Sequence, residues 1–222
     1  MAQKTKTRTP LSEERVLLAA IALADEEGIE SLSMRKLADR LGVKAMSLYN
    51  HVANKDALLD GIVDAVWDEI SLPDPATDWK VQVRTLAIST HDVLLQHPWA
   101  AGLHSRSARP PGVARLRYGD TLLGCFRNSG FSKELTYHAY HIIESYILGF
   151  TFQVLSYRSV DIEQYSGIAE SFMRGDYMAD FPHFTEHVQQ HFEPEPGLEG
   201  VNAYELGIDL LLDRLEQLRD AA

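Results

Sequence analysis

Between Ser33 and Lys55 the chain sets Arg35, Lys36, Lys44 and Lys55 beside Ser47, Tyr49, Asn50 and His51. Guanidinium and ammonium groups neutralise phosphates, and arginine, amide and hydroxyl side chains bond the edges of bases. That set suits contact with a nucleic acid rather than catalysis. The chain carries no phosphate-binding P-loop, no Gly-x-Ser-x-Gly elbow, no dinucleotide fingerprint and no His-Glu-x-x-His. An enzyme is therefore not indicated. Two other groups invite chemistry. His183, His187 and His191 follow one another at steps of four, so neighbouring pairs share a helix face and can bind a metal; a solvated polar face explains them more simply and is the reading adopted. Cys125, the single cysteine, has no activating base near it in sequence and reads as a small core residue. No metal and no cofactor is expected.

The basic set needs helices to present it. Ser12 followed by Glu13 and Glu14 is a helix start, and Gly28 is a stop. A second helix opens near Ser33 and closes at Leu41-Gly42, and a third covers roughly Ala45 to Asn50. Asn54 caps a fourth that carries Leu58, Leu59, Ile62, Val63, Val66 and Ile70 at helical spacing. Together these make a helix-turn-helix: Ala38 allows close packing, Gly42 turns the chain, and Leu37, Leu41, Val43 and Leu48 pin the helices together. A short second helix with a polar outer face fits the major groove.

Charge divides the chain in the same way. Of 222 residues, 21 are Lys or Arg and 32 are Asp or Glu, a net charge of −11. Residues 1–60 are neutral, with nine of each sign, and the whole excess of acid lies beyond them. Only the first segment can approach a phosphate backbone. The longest apolar stretch, Val16 to Ala24, is too short to span a bilayer, and the N-terminus lacks a signal-peptide pattern, so the chain reads as cytoplasmic with no membrane partner.

The prolines of Ser71-Leu72-Pro73-Asp74-Pro75 mark the best boundary. Beyond it, helices are expected at Trp79–Gln96, Pro98–His104, Val113–Ser129, Ser132–Tyr157, Ile162–Met173, Phe181–His191 and Val201–Arg219. The fold class is all-α, with a three-helix DNA-binding domain at 1–55, a connecting helix at 56–72 and a helical bundle at 73–222. Leu135 to Leu155 is apolar nearly all round, which requires cover on both sides. Val201, Tyr204, Ile208, Leu211, Leu215 and Leu218 form a coiled-coil-like seam, widened by Leu206, Leu210 and Leu212. The segments 132–157 and 201–219 thus suit a homodimer interface, or else burial within one chain.

The run from Gly28 to Ala38, then Leu41-Gly42-Val43, Leu48-Tyr49-Asn50-His51-Val52 and Asn54 to Leu59, resembles the tetracycline-repressor (TetR) family of transcriptional regulators. The likeness covers about the first quarter of the chain. Farther on it rests on length, helix order, the tryptophan after the proline linker, His97-Pro98-Trp99-Ala100-Ala101, and Gly130-Phe131-Ser132.

The resemblance implies a ligand-responsive homodimeric repressor that binds a palindromic double-stranded operator and is released by a small-molecule inducer. A regulator without an inducer, or an activator, stays open. Contacts to DNA fall on Arg35, Lys36, Lys44, Ala45, Met46, Ser47, Tyr49, Asn50, His51 and Lys55, with Arg35 reaching a guanine edge. Inducer contacts fall on His91, Trp99, His104, Arg106, Tyr137, His141 and Tyr146. Tetracycline-binding members use a histidine seven residues after another to help hold the drug's magnesium chelate, a spacing His97 and His104 keep. Leu86, Thr90 and Ser71 replace the expected partners, so tetracycline is not the expected inducer.

Overall fold

The computed structural model describes residues 10–104, 110–158, 180–192 and 202–221, and these are helical throughout, with no strand among them. In order the helices are α1 (Glu13–Glu27), α2 (Met34–Leu41), α3 (Ala45–Leu48), α4 (Lys55–Asp68), α5 (Trp79–Gln96), α6 (Pro98–His104), α7 (Val113–Arg127), α8 (Lys133–Arg158), α9 (Pro182–Phe192) and α10 (Ala203–Asp220). A single 3₁₀ turn, Ile29–Ser31, joins α1 to α2. The expected helix at 162–173 lies outside the described residues.

Local capping explains where the first helices begin. Ser12 Oγ accepts from the Arg15 N–H, Ser33 Oγ from the Lys36 N–H, and Asn54 Oδ1 from the Ala57 N–H. Each satisfies a donor that the first turn would otherwise leave unpaired. Gly42 closes α2 at φ 65°, in the left-handed region, and Val43 N–H returns to Ala38 O at 3.0 Å. Across that turn Leu37, Ala38 and Leu48 are fully buried against Val16, Ala20 and Leu23 of α1, while Leu41 and Val43 pack from the edge. α3 is shorter than its sequence suggests. Tyr49–His51 form a turn instead, with His51 N–H and Val52 N–H both bonding Leu48 O.

The bundle is built around α5. Ion pairs fasten α10 to it: Lys80 meets Asp213 and Glu216, and Arg84 meets Glu205 and Asp209. The Lys80 ammonium is held above its usual range by hydrogen bonds to Glu216 and Asp213. Below this ladder, Trp79 packs on Phe131 and Phe126 with ring centroids 4.9 and 6.0 Å away, and the Arg219 guanidinium covers Trp79 at 5.6 Å. Of the seam predicted on the last helix, Tyr204, Ile208 and Leu215 are buried within the chain, Leu211 is half-buried, Leu218 is exposed and Val201 lies outside the described residues. Of the residues that widen it, Leu212 is buried, while Leu206 and Leu210 are left uncovered, Leu210 being 62% exposed. No described helix is long and apolar enough to cross a membrane.

The turn in the first domain has a measurable requirement. A Cβ in the left-handed conformation costs about 1–2 kcal/mol, and asparagine tolerates it better than alanine. Gly42→Ala is expected to lower the unfolding free energy measured in urea by that amount, with a lower midpoint, and Gly42→Asn by less. Equal midpoints for the wild type and Gly42→Ala would contradict the assignment.

Candidate nucleic-acid interface and the bundle behind it

Arg35, Lys44, Met46, Tyr49, Asn50 and Lys55 are exposed, and Ala45, Ser47 and His51 are half-buried. Met46 is 75% exposed although it is apolar, a placement that core packing does not explain. Arg35 sits in the first turn of α2, Lys44 just before α3 and Lys55 at the start of α4. None of these three cations forms an ion pair among the described residues, so all three are available to phosphates or base edges. Lys36 differs. Its ammonium meets Glu27, and Arg40 makes a two-pronged contact with Glu26 at 2.7 and 2.6 Å. These pairs tie α2 to the end of α1, and the Arg40 hydrogen bond holds the Glu26 carboxyl below the usual range.

The candidate inducer residues do not converge on one point. His91 is buried, stacks on Tyr204 at 4.1 Å and lies 2.7 Å from Thr151 Oγ1. The Thr151 hydroxyl donates to Ile147 O, so its oxygen accepts from His91 Nδ1. Tyr146 donates to Tyr204 O at 3.0 Å, stacks on Tyr204 at 5.5 Å, and so joins His91 in one group. Burial pushes the Tyr146 and Tyr204 hydroxyls above their usual range. Tyr137 and His141 meet edge to face, with ring centroids 4.5 Å apart, on an exposed part of α8. The His104 side chain and Arg106 lie outside the described residues.

Trp99 lies elsewhere. Its indole N–H donates to Asp25 of α1 at 2.7 Å. His97 reaches the same carboxylate, with Nδ1 at 2.9 Å, while Nε2 lies 3.2 Å from Glu69 just beyond α4. The histidine that sequence spacing pointed toward a ligand thus stands between the first domain and the bundle. Because both ring nitrogens face carboxylates, the ring donates to both only when doubly protonated.

A second bond across the same boundary was not foreseen. Asp64 of α4 accepts from the N–H groups of Ala114 and Arg115, at 3.3 and 3.1 Å, and from Arg115 Nε at 3.4 Å. It therefore caps a helix other than its own. Gly112, the residue before α7, offers no side chain for this, and a Cβ there would collide with the Asp64 carboxylate. One turn on, Asp68 accepts from Arg117 at 2.8 Å. The signal available in the sequence was the acid at every fourth position, Asp60, Asp64 and Asp68, on an otherwise apolar helix.

His183 and His187 are exposed on α9, the His191 side chain lies outside the described residues, and no group of three or more metal-ligating side chains occurs among the described ones. Cys125 is buried, donates toward Gln82 Oε1 at 3.3 Å, and has its thiol pushed up by burial.

Comparison with known proteins places this geometry in context. Residues 16–62 match the family described as bacterial regulatory proteins, tetR family, and residues 72–219 match the tetracyclin repressor-like C-terminal domain. An HTH-type transcriptional regulator of Saccharopolyspora erythraea is 36% identical over 150 residues, which is 66% of this chain but only 62% of that protein's length. The class G tetracycline repressor protein of Vibrio anguillarum is 30% identical over 96% of this chain and 97% of its own. A TetR variant from Acinetobacter baumannii AYE, solved in complex with minocycline, superposes with a TM-score of 0.63 at 26% identity, covering 95% of this chain and 99% of that one.

The Asp64 contact gives a test. Loss of a cap together with the partner of a buried arginine is worth about 2 kcal/mol. Asp64→Ala is expected to lower stability by that amount in urea unfolding, and Asp60→Ala by clearly less. Equal effects would show that the carboxylate is not a cap for α7.

Proposed function

The chain belongs to the TetR family of bacterial regulatory proteins, and from that membership we propose that it is a homodimeric, ligand-responsive repressor that binds a palindromic operator and is released by a small molecule. The observation that supports this most directly is the exposed set Arg35, Lys44, Met46, Tyr49, Asn50 and Lys55 around a four-residue α3. We divide the chain into a reading head at 1–55, a connecting helix at 56–72 and a regulatory bundle at 73–222. Ser47, Ala45 and His51 complete the groove-facing surface. Lys36 reaches a phosphate by giving up its exposed pair with Glu27, which costs less than about 1 kcal/mol.

Dimerisation is argued from what one chain leaves uncovered. α8 exposes Ile142, Ser145, Gly149 and Phe152 along one face, and α10 exposes Leu206, Leu210 and Leu218. Small residues between apolar ones permit close approach of a second helix. A second copy joining α8 and α10 to their equivalents buries this face and sets two heads at a fixed separation. Two heads so related read a two-fold symmetric site.

The ligand half rests on the relatives, which include proteins named as tetracycline repressors and one solved with minocycline. Its proposed contacts are His91 and Tyr146, joined through Tyr204, together with His104 and Arg106, and with Tyr137 and His141 on the exposed part of α8. Trp99 couples that region to Asp25 of the head. Leu86 and Thr90, both buried on α5, do not offer the partners that a tetracycline chelate requires. Inducer and operator oppose each other by the same factor in either direction.

Two outcomes follow. On a duplex enriched from a random pool, Arg35→Ala is expected to weaken binding by about tenfold to a hundredfold, since a bidentate guanine contact is worth about 1–3 kcal/mol. Unchanged affinity removes its base-reading role. In sedimentation at micromolar concentration the wild type is expected to run as a dimer and Leu210→Glu as a monomer. A monomeric wild type contradicts the paired-helix interface. Affinity that does not fall with added salt would point instead to a protein partner for the helix-turn-helix.

A further inference from the structure

The polar groups inside the bundle are mostly closed pairs: His91 with Thr151, Tyr204 with Ala87 O, and Tyr146 with the backbone of α10. Glu144 of α8 is different. One carboxylate oxygen accepts from the hydroxyl of Tyr118 on α7, at 2.5 Å, and Tyr118 is only 3% exposed. The other oxygen accepts no hydrogen bond among the described residues. Glu144 is half-buried.

Among the described residues no cation compensates it. Lys80 and Arg84 are engaged by α10, Arg115 and Arg117 by α4, and Arg127 by Phe131 O; none pairs with Glu144. Burial pushes the Glu144 carboxyl above its ordinary range, and the Tyr118 hydrogen bond pulls against that. A carboxylate removed from water without a counter-charge destabilises the fold that holds it.

Its surroundings are aromatic as well as acidic. Tyr140 precedes Glu144 by one turn of α8, is half-buried, and donates its hydroxyl to nothing among the described residues. That hydroxyl would lie 3.7 Å from a Cβ on Gly119, beside Tyr118. Farther along the same face, the Thr136 hydroxyl is buried and has no hydrogen-bond partner. An uncompensated carboxylate with phenol rings beside it attracts a cation both by charge and through the ring faces. An anion placed there meets repulsion.

We propose that Glu144, flanked by Tyr118 and Tyr140, is a binding site for an organic cation, so that the bundle's ligand carries a protonated amine on an apolar frame. This rests on reading the bundle as an inducer site. Tyr118 orients the carboxylate through one oxygen and leaves the other for the ammonium, and Tyr140 supplies a ring face. Binding displaces any proton from Glu144, so affinity for a cation rises with pH until the carboxyl is ionised in the free protein.

The test uses one aromatic frame with three charges: 2-naphthylmethylammonium, 2-naphthylmethanol and 2-naphthoate, titrated calorimetrically into the full-length protein from pH 5 to 8. The cation is expected to bind about tenfold or more above the other two at pH 8, with affinity that rises with pH. Glu144→Gln is expected to abolish both the preference and the pH dependence, and Tyr118→Phe to retain the preference. Equal binding of the three probes, a cation whose affinity survives Glu144→Gln, or no cation binding at millimolar concentration overturns the proposal. Should Glu144→Gln fail to fold, the charge preference and pH profile of the wild type decide. Glu144-dependent binding that leaves DNA bound would overturn the inducer reading and keep the cation site; release of DNA by the alcohol or naphthoate alone would do the reverse.

Discussion

The position of the reading head depends on how α4 is held. That helix begins in the first domain, where Leu58 and Ile62 are buried, and ends against the bundle. Along its length, carboxylates make the attachment. Asp64 closes the start of α7, Asp68 takes Arg117, and Glu69 faces His97, which also holds Asp25 of α1. Apolar packing alone lets one helix slide on another at small cost. Directed hydrogen bonds to a helix start do not, because each N–H has one place to go. α1 and α4 are therefore tied by directed bonds to the start of α7 and to the corner between α5 and α6.

This arrangement gives regulation a physical route. A ligand that shifts α7 or α8 acts on Asp64 through the start of α7, and on Asp25 and Glu69 through the corner at His97. The ligand needs only a preference for one placement of these helices, and the coupling it produces is limited to that preference. The contact of α5 with α10 is held differently. There the ion pairs of Lys80 and Arg84 and the aromatic group around Trp79 bind α10 to α5.

Much of the fold was legible because its signals are local. Caps at Ser12, Ser33 and Asn54, the glycines at 28 and 42, and the proline linker mark boundaries by chemistry contained within a few residues. The bounds of α5 and α6 coincide with those expected, Trp79–Gln96 and Pro98–His104. The length of α3 did not emerge, because Tyr49–His51 are compatible with a helix or a turn and the burial of Leu48 and Val52 decides between them. On α10 the seam was visible but not its division, since apolar residues spaced for two faces do not reveal which face meets α5. The links between domains were illegible for another reason: Asp25 and His97 are 72 residues apart, and only the folded chain makes them neighbours. Glu144 went unnoticed within an apolar helix because its meaning lies in the missing cation.

The central claim is that two copies of this chain present two heads at a separation fixed by the bundle. The most direct measurement is selection from random duplex DNA with the purified protein, followed by sequencing of the retained pool. The account predicts a two-fold symmetric site with half-sites about one helical turn apart or moderately more. A pool with no enriched sequence, or one enriched in a single unrepeated half-site, would contradict it.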